Sequence, residues 1–233
     1  MILQTIQENL NQIHARIDAA ATRAGRDFRS IKLVAVTKYA EPGWVQALFD
    51  LGHRDFGESR PQQLARRAEG FPAGIQWHLI GHLQRNKVEL VLPVATQIHS
   101  VDSLRLLKRI SESCVGSDRI QSVLLEVNIS GESAKDGLTA VELRRQWSLF
   151  SRLPAVRIAG LMTMAPRSDE PEDVRHIFRG LRELREELAE TADCDQQLSE
   201  LSMGMSGDFE VAVEEGATLV RVGSSLFEGL SPG

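Results

Sequence analysis

Cysteine, tyrosine and long apolar runs are all scarce in this chain. Its two cysteines, Cys114 and Cys194, stand far apart and in no CxxC pattern, which fits free thiols in a reducing compartment and excludes a disulfide framework. No stretch of 18 apolar residues occurs, and the start, Met1–Ile2–Leu3–Gln4–Thr5–Ile6–Gln7–Glu8, has neither a basic leading region nor a long apolar core. A membrane partner and a secretory leader are therefore not expected, and the expected location is cytoplasmic. Lysine and arginine form no run, and 27 basic against 32 acidic residues give a formal net charge of −5. Nucleic-acid binding rests largely on neutralising phosphates, so a small molecule is the expected partner rather than nucleic acid. A Pro/Gly/Ser-rich linker is also missing, and residues 1–233 are expected to form a single domain.

What the sequence does have is a regular alternation. Ile2, Ile6, Leu10, Ile13, Ile17 and Ala24 recur at helical spacing, and Gly25 is placed to end a helix over 2–25. Ile31 to Lys38 is then a nearly continuous apolar, β-branched run, as expected of a parallel strand covered on both faces. Further strand-like runs cover 54–58, 75–81, 96–101, 123–129, 156–164, 198–203 and 219–222. Helical patterns fall between them over 42–51, 61–69, 84–92 and 103–114, from Thr139 onward, and along Ile177, Leu181, Leu184 and Leu188. Thr139 and Glu142 make a capping box, and the Arg/Glu residues between the leucines of the last long helix read as a solvated face. Eight strands alternating with helices are most simply a (β/α)₈ barrel over about residues 31–228, for which ~250 residues is usual. A doubly wound open sheet is the rival, disfavoured because no glycine-rich fingerprint follows the first strand.

Chemistry concentrates where the last two strands end. Ser199–Glu200–Leu201–Ser202–Met203–Gly204–Met205–Ser206–Gly207–Asp208 and Val220–Arg221–Val222–Gly223–Ser224–Ser225 set small hydroxyl and glycine residues there. Without a Cβ, Gly204, Gly207 and Gly223 let backbone N–H groups approach a ligand, and Ser206, Ser224 and Ser225 add hydroxyl donors. A short helix from Asp208 to Glu215 is expected to aim its first N–H groups at the same spot, so the two turns together suit a phosphate.

Two cations sit near that end. By period-two alternation Lys38 shares a face with Val34 and Val36, which puts it at the ligand end of the first strand. Burial there would favour a neutral amine, the nucleophile that forms a Schiff base with an aldehyde; the other possibility is a strand-end lysine extending into water. Leu219, Arg221 and Gly223 share the inward face of the last strand while Val220 and Val222 face the helices. A buried guanidinium needs partners, either an inward acid such as Glu126 or a ligand.

Several segments together resemble one family. Val34–Ala35–Val36–Thr37–Lys38, Phe56–Gly57–Glu58, Trp77 to Lys87, Val127–Asn128–Ile129–Ser130–Gly131–Glu132, Leu161–Met162–Thr163–Met164 and Leu201 to Phe209 are similar to the pyridoxal phosphate homeostasis proteins, with Ser206–Gly207–Asp208 and Arg221–Val222–Gly223 the most specific pieces. The resemblance runs from about residue 31 to 228. It implies a barrel like that of alanine racemase, with pyridoxal 5′-phosphate (PLP) held as an internal aldimine on Lys38. It further implies that Ser206, Gly207, Gly223 and Ser224 hold the phosphate and that Arg221 approaches the pyridine nitrogen. An arginine there keeps that nitrogen unprotonated and the ring a poorer electron sink, which favours holding the cofactor over turning substrates over. Met203 and Met205 lie either beside the ring or in plain core. The family's usual asparagine after Gly57–Glu58 is replaced by Ser59, which puts an amide contact to the ring in doubt. A monomer serving PLP and amino-acid homeostasis, with PLP-dependent apoenzymes as partners, is the implied role.

Two enzymatic readings remain beside it. A racemase-type PLP enzyme needs acid/base groups on both faces of the substrate carbon, and the only tyrosine, Tyr39, adjoins Lys38. A class I aldolase-like barrel acting on a sugar phosphate through Lys38 would need a nearby pair such as Glu58 and Asp102. A serine hydrolase is excluded, because Gly204–Met205–Ser206–Gly207–Asp208 lacks the last glycine of a nucleophile elbow and the final histidine, His176, precedes Ser206. His78 and His82 straddle a strand end rather than a helix face, and with His14, His53 and His99 they read as packed or surface residues rather than metal ligands. Lys135, in the loop after the fifth strand, is a further candidate for receiving or handing over PLP by transimination.

Overall fold

The computed structural model describes residues 1–117, 119–132, 136–191 and 198–231. Eight strands, β1 (Lys32–Val36), β2 (Asp55–Glu58), β3 (Gln76–Leu79), β4 (Ala95–Val101), β5 (Gln121–Glu126), β6 (Val156–Met162), β7 (Glu200–Ser202) and β8 (Leu219–Val222), close into a barrel in chain order. The closing pair is parallel, with Lys32 beside Leu219 and Val34 beside Arg221, so the open sheet is ruled out. Helices α1 (Ile2–Arg23), α2 (Pro42–Asp50), α3 (Pro61–Gly70), α4 (Val88–Val91), α5 (Leu104–Cys114), α6 (Ala140–Ser151), α7 (Arg175–Glu190) and α8 (Phe209–Glu214) accompany them. Among the described residues no helix is long and apolar enough to cross a membrane.

Local chemistry explains most of the element ends. Pro42 and Pro61 open α2 and α3, where a missing N–H costs no helical hydrogen bond. Thr139 and Glu142 form the expected capping box, Thr139 Oγ1 accepting from Glu142 N at 3.1 Å while Glu142 Oε2 accepts from Thr139 N at 3.1 Å. The helix expected over 84–92 is shorter than its pattern: a 3-10 turn, Arg85–Lys87, precedes the four residues of α4. On α7, Ile177, Leu181, Leu184 and Leu188 are buried as expected. Its charged side is not simply solvated, because Arg175, Arg179 and Arg182 converge on the buried Glu215 at 3.1, 3.4 and 3.2 Å and tie α7 to the end of α8.

Two apolar layers result. Val220 and Val222 join the large core between barrel and helices, whereas Val34, Leu124, Ala159, Met162 and Leu219 form a small separate cluster inside the barrel. The inward positions beyond that cluster are polar, and His78, Gln97, His99, Glu126, Ser202 and Arg221 are all buried. A barrel interior this polar must pair its groups with one another, since an unmatched buried polar group costs about 1–3 kcal/mol.

Candidate cofactor-binding site

The loops after β7 and β8 meet at the C-terminal mouth of the barrel. Arg221 N donates to Gly204 O at 2.9 Å, and Gly223 N donates to Ser206 Oγ at 3.3 Å. Gly204 has φ +92°, and a Cβ there would come within 2.6 Å of the Ala212 Cβ and 2.9 Å of the Phe209 Cα, so only glycine lets the chain turn this close to α8. Gly223 presses against β1, where a Cβ would stand 3.2 Å from both Val36 Cβ and Val36 O. The cup formed by Ser206, Gly207, Gly223 and Ser224 therefore abuts the strand that leads to Lys38.

The start of α8 is partly committed to the turn itself. Asp208 N and Phe209 N both donate to Met205 O, at 3.1 and 2.9 Å, and Asp208 Oδ1 accepts from Met205 N at 2.5 Å. The expectation that α8 directs its first N–H groups at the ligand is thus corrected in part: those of Asp208 and Phe209 close the turn, and of the first helical turn only those of Glu210 and Val211 have no acceptor among the described residues. The backbone N–H groups of Ser206, Gly207 and Ser224 have no acceptor among the described residues. Converging donors without acceptors at a partly open mouth suit an anion.

Lys38 lies two residues beyond the end of β1, in a turn whose backbone is held from α3. Gln63 Nε2 donates to Lys38 O at 2.9 Å, and Arg67 Nη2 donates to Thr37 O at 3.0 Å and to Ala40 O at 2.6 Å. Under the turn, buried Glu58 pairs with Arg67 Nε at 2.7 Å and accepts from Thr37 Oγ1 at 2.7 Å. The base of Lys38 is pinned while its side chain is free. Of the two placements open to Lys38, the structure shows the strand-end lysine extending into water: it is exposed, with Nζ 5.2 Å from the Tyr39 ring centroid, and Tyr39 itself is 80% exposed.

Arg221 is 4% exposed and points into the barrel. Its guanidinium does not contact Glu126; Nη1 donates to Ser202 Oγ at 2.5 Å and Nη2 to Thr163 O at 2.9 Å. Burial lowers its pKa to about 10, opposed by the charges of Asp208 and Glu126, so the group stays cationic. Its remaining N–H groups have no acceptor among the described residues.

Other sequence candidates fall outside this cup. Met203 is fully buried in the layer between barrel and helices, the core alternative, because inward alternation on β7 selects Glu200, Ser202 and Gly204. Met205 is partly exposed at the rim and Ser59 half-buried after β2. Asp102 pairs with the exposed His82 at 3.2 Å, so with Glu58 tied to Arg67 neither acid proposed for an aldolase is poised beside Lys38. Lys135 and Cys194 lie outside the described residues. A surface groove of about 760 Å³ beside Gln46, Gln63 and Arg66 is on the barrel's flank, not at its mouth.

Glu126, 5% exposed, carries a testable electrostatic consequence. Burial, with help from the charges of Asp102 and Asp136 and against that of Arg221, pushes its pKa up from 4.5 to about 7. The folded state then binds a proton that the unfolded state has lost between these values, so this carboxyl's contribution is present below pH 4.5 and disappears as the pH rises through 7. Relative to wild type, apo Glu126→Gln is expected to gain about 3 kcal/mol between pH 4.5 and 8, read by urea unfolding at both pH values. An unchanged difference between the two proteins would show that Glu126 is ionised throughout.

A lysine after β1 and an anion cup on the β7 and β8 loops place the molecule among barrels of the alanine racemase type, and the family model for the alanine racemase N-terminal domain matches residues 6–232. A pyridoxal phosphate homeostasis protein of Aquifex aeolicus is 40% identical over 221 residues, covering 94% of this chain and 96% of that one. The chain belongs to the pyridoxal phosphate homeostasis protein family. Among solved structures, a protein of unknown function from Bifidobacterium adolescentis superposes with a TM-score of 0.88 at 37% identity, covering 97% of this chain and 96% of that one. PipY of Synechococcus elongatus with PLP bound gives 0.79 at 33% identity, over 92% of this chain and 99% of its own.

Proposed function

We propose that this chain is a single PLP-binding barrel domain that holds PLP on Lys38 and takes part in intracellular PLP and amino-acid homeostasis without robust turnover of its own. The observation that carries the proposal is the cup of unpaired N–H donors on Ser206, Gly207 and Ser224, set against the strand that ends at Lys38. Three or more N–H and O–H donors converging at one point match a phosphate dianion better than a carboxylate or a neutral group. When bound, PLP supplies an aldehyde for the lysine amine and a ring whose power as an electron sink depends on protonation of its nitrogen. Arg221, cationic and able only to donate, would suit an unprotonated ring nitrogen and would give it no proton. The pinned turn around Lys38 keeps the amine at the rim while leaving it free to reach the aldehyde.

The same features favour holding over catalysis. Tyr39 is exposed beside Lys38 rather than placed across the mouth from it. An exposed Lys38 also suits exchange with another amine, so PLP-dependent apoenzymes are the proposed recipients, with the carrier working as a cytoplasmic monomer. The phosphate's part is tested by titrating the apo protein with PLP and with pyridoxal. Losing the charge-assisted hydrogen bonds of the cup is expected to weaken binding by about a hundredfold; equal affinities would remove the cup from the site.

A further inference from the structure

Three buried hydrogen bonds and a fourth, partly buried one join Arg221 to the far side of the barrel. Arg221 Nη1 meets Ser202 Oγ at 2.5 Å, Ser202 Oγ meets His99 Nδ1 at 2.9 Å, His99 Nε2 meets His78 Nδ1 at 2.9 Å, and His78 Nε2 meets Asp55 Oδ1 at 3.1 Å. Lys32 Nζ stands 3.6 Å from the same Asp55 oxygen. Each member comes from a different strand: β8, β7, β4, β3 and β2. Ser202 and His99 are fully buried and His78 is 2% exposed, so no bulk water completes their bonding.

The direction of this chain follows from donor accounting. A guanidinium can only donate, so Ser202 Oγ accepts from Arg221. The hydroxyl's own proton then has one partner among the described residues, His99 Nδ1, which must be bare to accept it. A neutral His99 carries its proton on Nε2 and donates to His78 Nδ1; His78 in turn carries its proton on Nε2 and donates to Asp55. A carboxylate can only accept, which ends the series. Adding one proton to either imidazole would either set two N–H donors face to face between the rings or leave the buried Ser202 hydroxyl proton without an acceptor. Burial, the neighbouring His78 and the Arg221 charge all hold His99 well below the usual histidine range. Burial at Asp55 is outweighed by the hydrogen bond from His78 and the charge of Lys32, which keep that carboxyl ionised.

We propose that Ser202, His99, His78 and Asp55 are positioning residues that act as one directional hydrogen-bond chain, fixing the Arg221 guanidinium at the cofactor's ring nitrogen. Its bearing on PLP rests on the function proposed above; the chain itself does not. Among the described residues no carboxylate is within ion-pair distance of Arg221, the charges of Asp208 and Glu126 acting on it from farther off, so its outward N–H groups stay available to a ligand while the aligned bonds hold its orientation. Each aligned bond polarises the next. A direct acid on the guanidinium would compete with the ring for those donors.

The test uses nitrogen-15 NMR of the histidines in the apo protein, together with PLP binding by Ser202→Ala. His99 is expected as a neutral imidazole protonated on Nε2 throughout pH 6 to 8, and His78 is expected with its Nδ1 bare toward His99 and its proton on Nε2. In Ser202→Ala, His99 is expected to lose its single tautomer, and PLP is expected to bind about tenfold more weakly with a shifted long-wavelength absorption band. Gln97→Leu is the control, since the Gln97 side chain bonds to Ser122 and Glu200 and to no side chain of this series, meeting His78 only as its partner in the β3–β4 backbone ladder, which leucine keeps; it should leave the tautomers and the band unchanged. An imidazolium or an Nδ1-protonated ring at either histidine in the wild type would overturn the chain. So would a Ser202→Ala protein with wild-type tautomers, PLP affinity and band. Failure of the wild type to bind PLP would instead overturn the proposed function and leave the tautomer result standing.

Discussion

Lys38→Ala is expected to abolish the borohydride-fixed pyridoxyl adduct completely while leaving the fold intact. The lysine is exposed, its side chain packs only over Tyr39, and its turn is held through backbone carbonyls that alanine keeps. Surface changes of this kind move stability by about 0.5 kcal/mol or less. The cup after β7 and β8 does not involve Lys38, so the variant should still bind PLP without a covalent bond, more weakly and in a phosphate-dependent way. Mass spectrometry of the reduced, desalted protein reads the adduct directly. An adduct that persists at wild-type stoichiometry would move the anchor to another lysine.

Gly160→Ala is expected to be the most damaging single methyl in the barrel. Along β5 and β6 the register slips, Val123 pairing with Ile158 and Leu124 with Gly160, and this irregularity brings Gly160 against β7. A Cβ at Gly160 would fall on the Glu200 carbonyl oxygen and within 2.9 Å of the Glu200 Cα. Those atoms belong to a strand backbone, which cannot rotate away as a side chain can. Either β7 leaves β6, carrying Ser202 and the loop of the anion cup with it, or the barrel opens. A loss of about 4 kcal/mol or more is expected, seen as a protein that fails to accumulate in soluble form or unfolds at much lower urea. A variant with wild-type unfolding would mean that β6 and β7 are farther apart than the structure places them.

Both predictions depend on features that the sequence reveals unequally. The alternation of strands and helices is legible because each element carries its own period: Ile6, Leu10, Ile13 and Ile17 mark α1, and Val220 and Val222 set against Arg221 mark the two faces of β8. The phosphate-type turns are legible because glycine and serine cluster at strand ends. Lys38 is legible as a rim residue, but the choice between a buried and an exposed amine is not, since period-two alternation extrapolates past Val36, where β1 ends and the chain turns. The 84–92 pattern misleads because a 3-10 turn and a short helix share the spacing of a longer one. Least visible is the polar chain behind Arg221. Asp55, His78, His99 and Ser202 lie on four strands and are adjacent only once the barrel closes, so each alone reads as a packed polar residue. The available signal was collective: inward positions of neighbouring strands held titratable groups where a barrel core usually holds Val, Ile or Leu.

The central claim, that this barrel carries PLP on Lys38, is tested most directly by reducing the PLP-loaded wild-type protein with borohydride, digesting it and locating the pyridoxyl group by mass spectrometry. One label per chain, on Lys38, is the predicted result. A protein that takes up no PLP, or one whose label sits on another lysine, would contradict it.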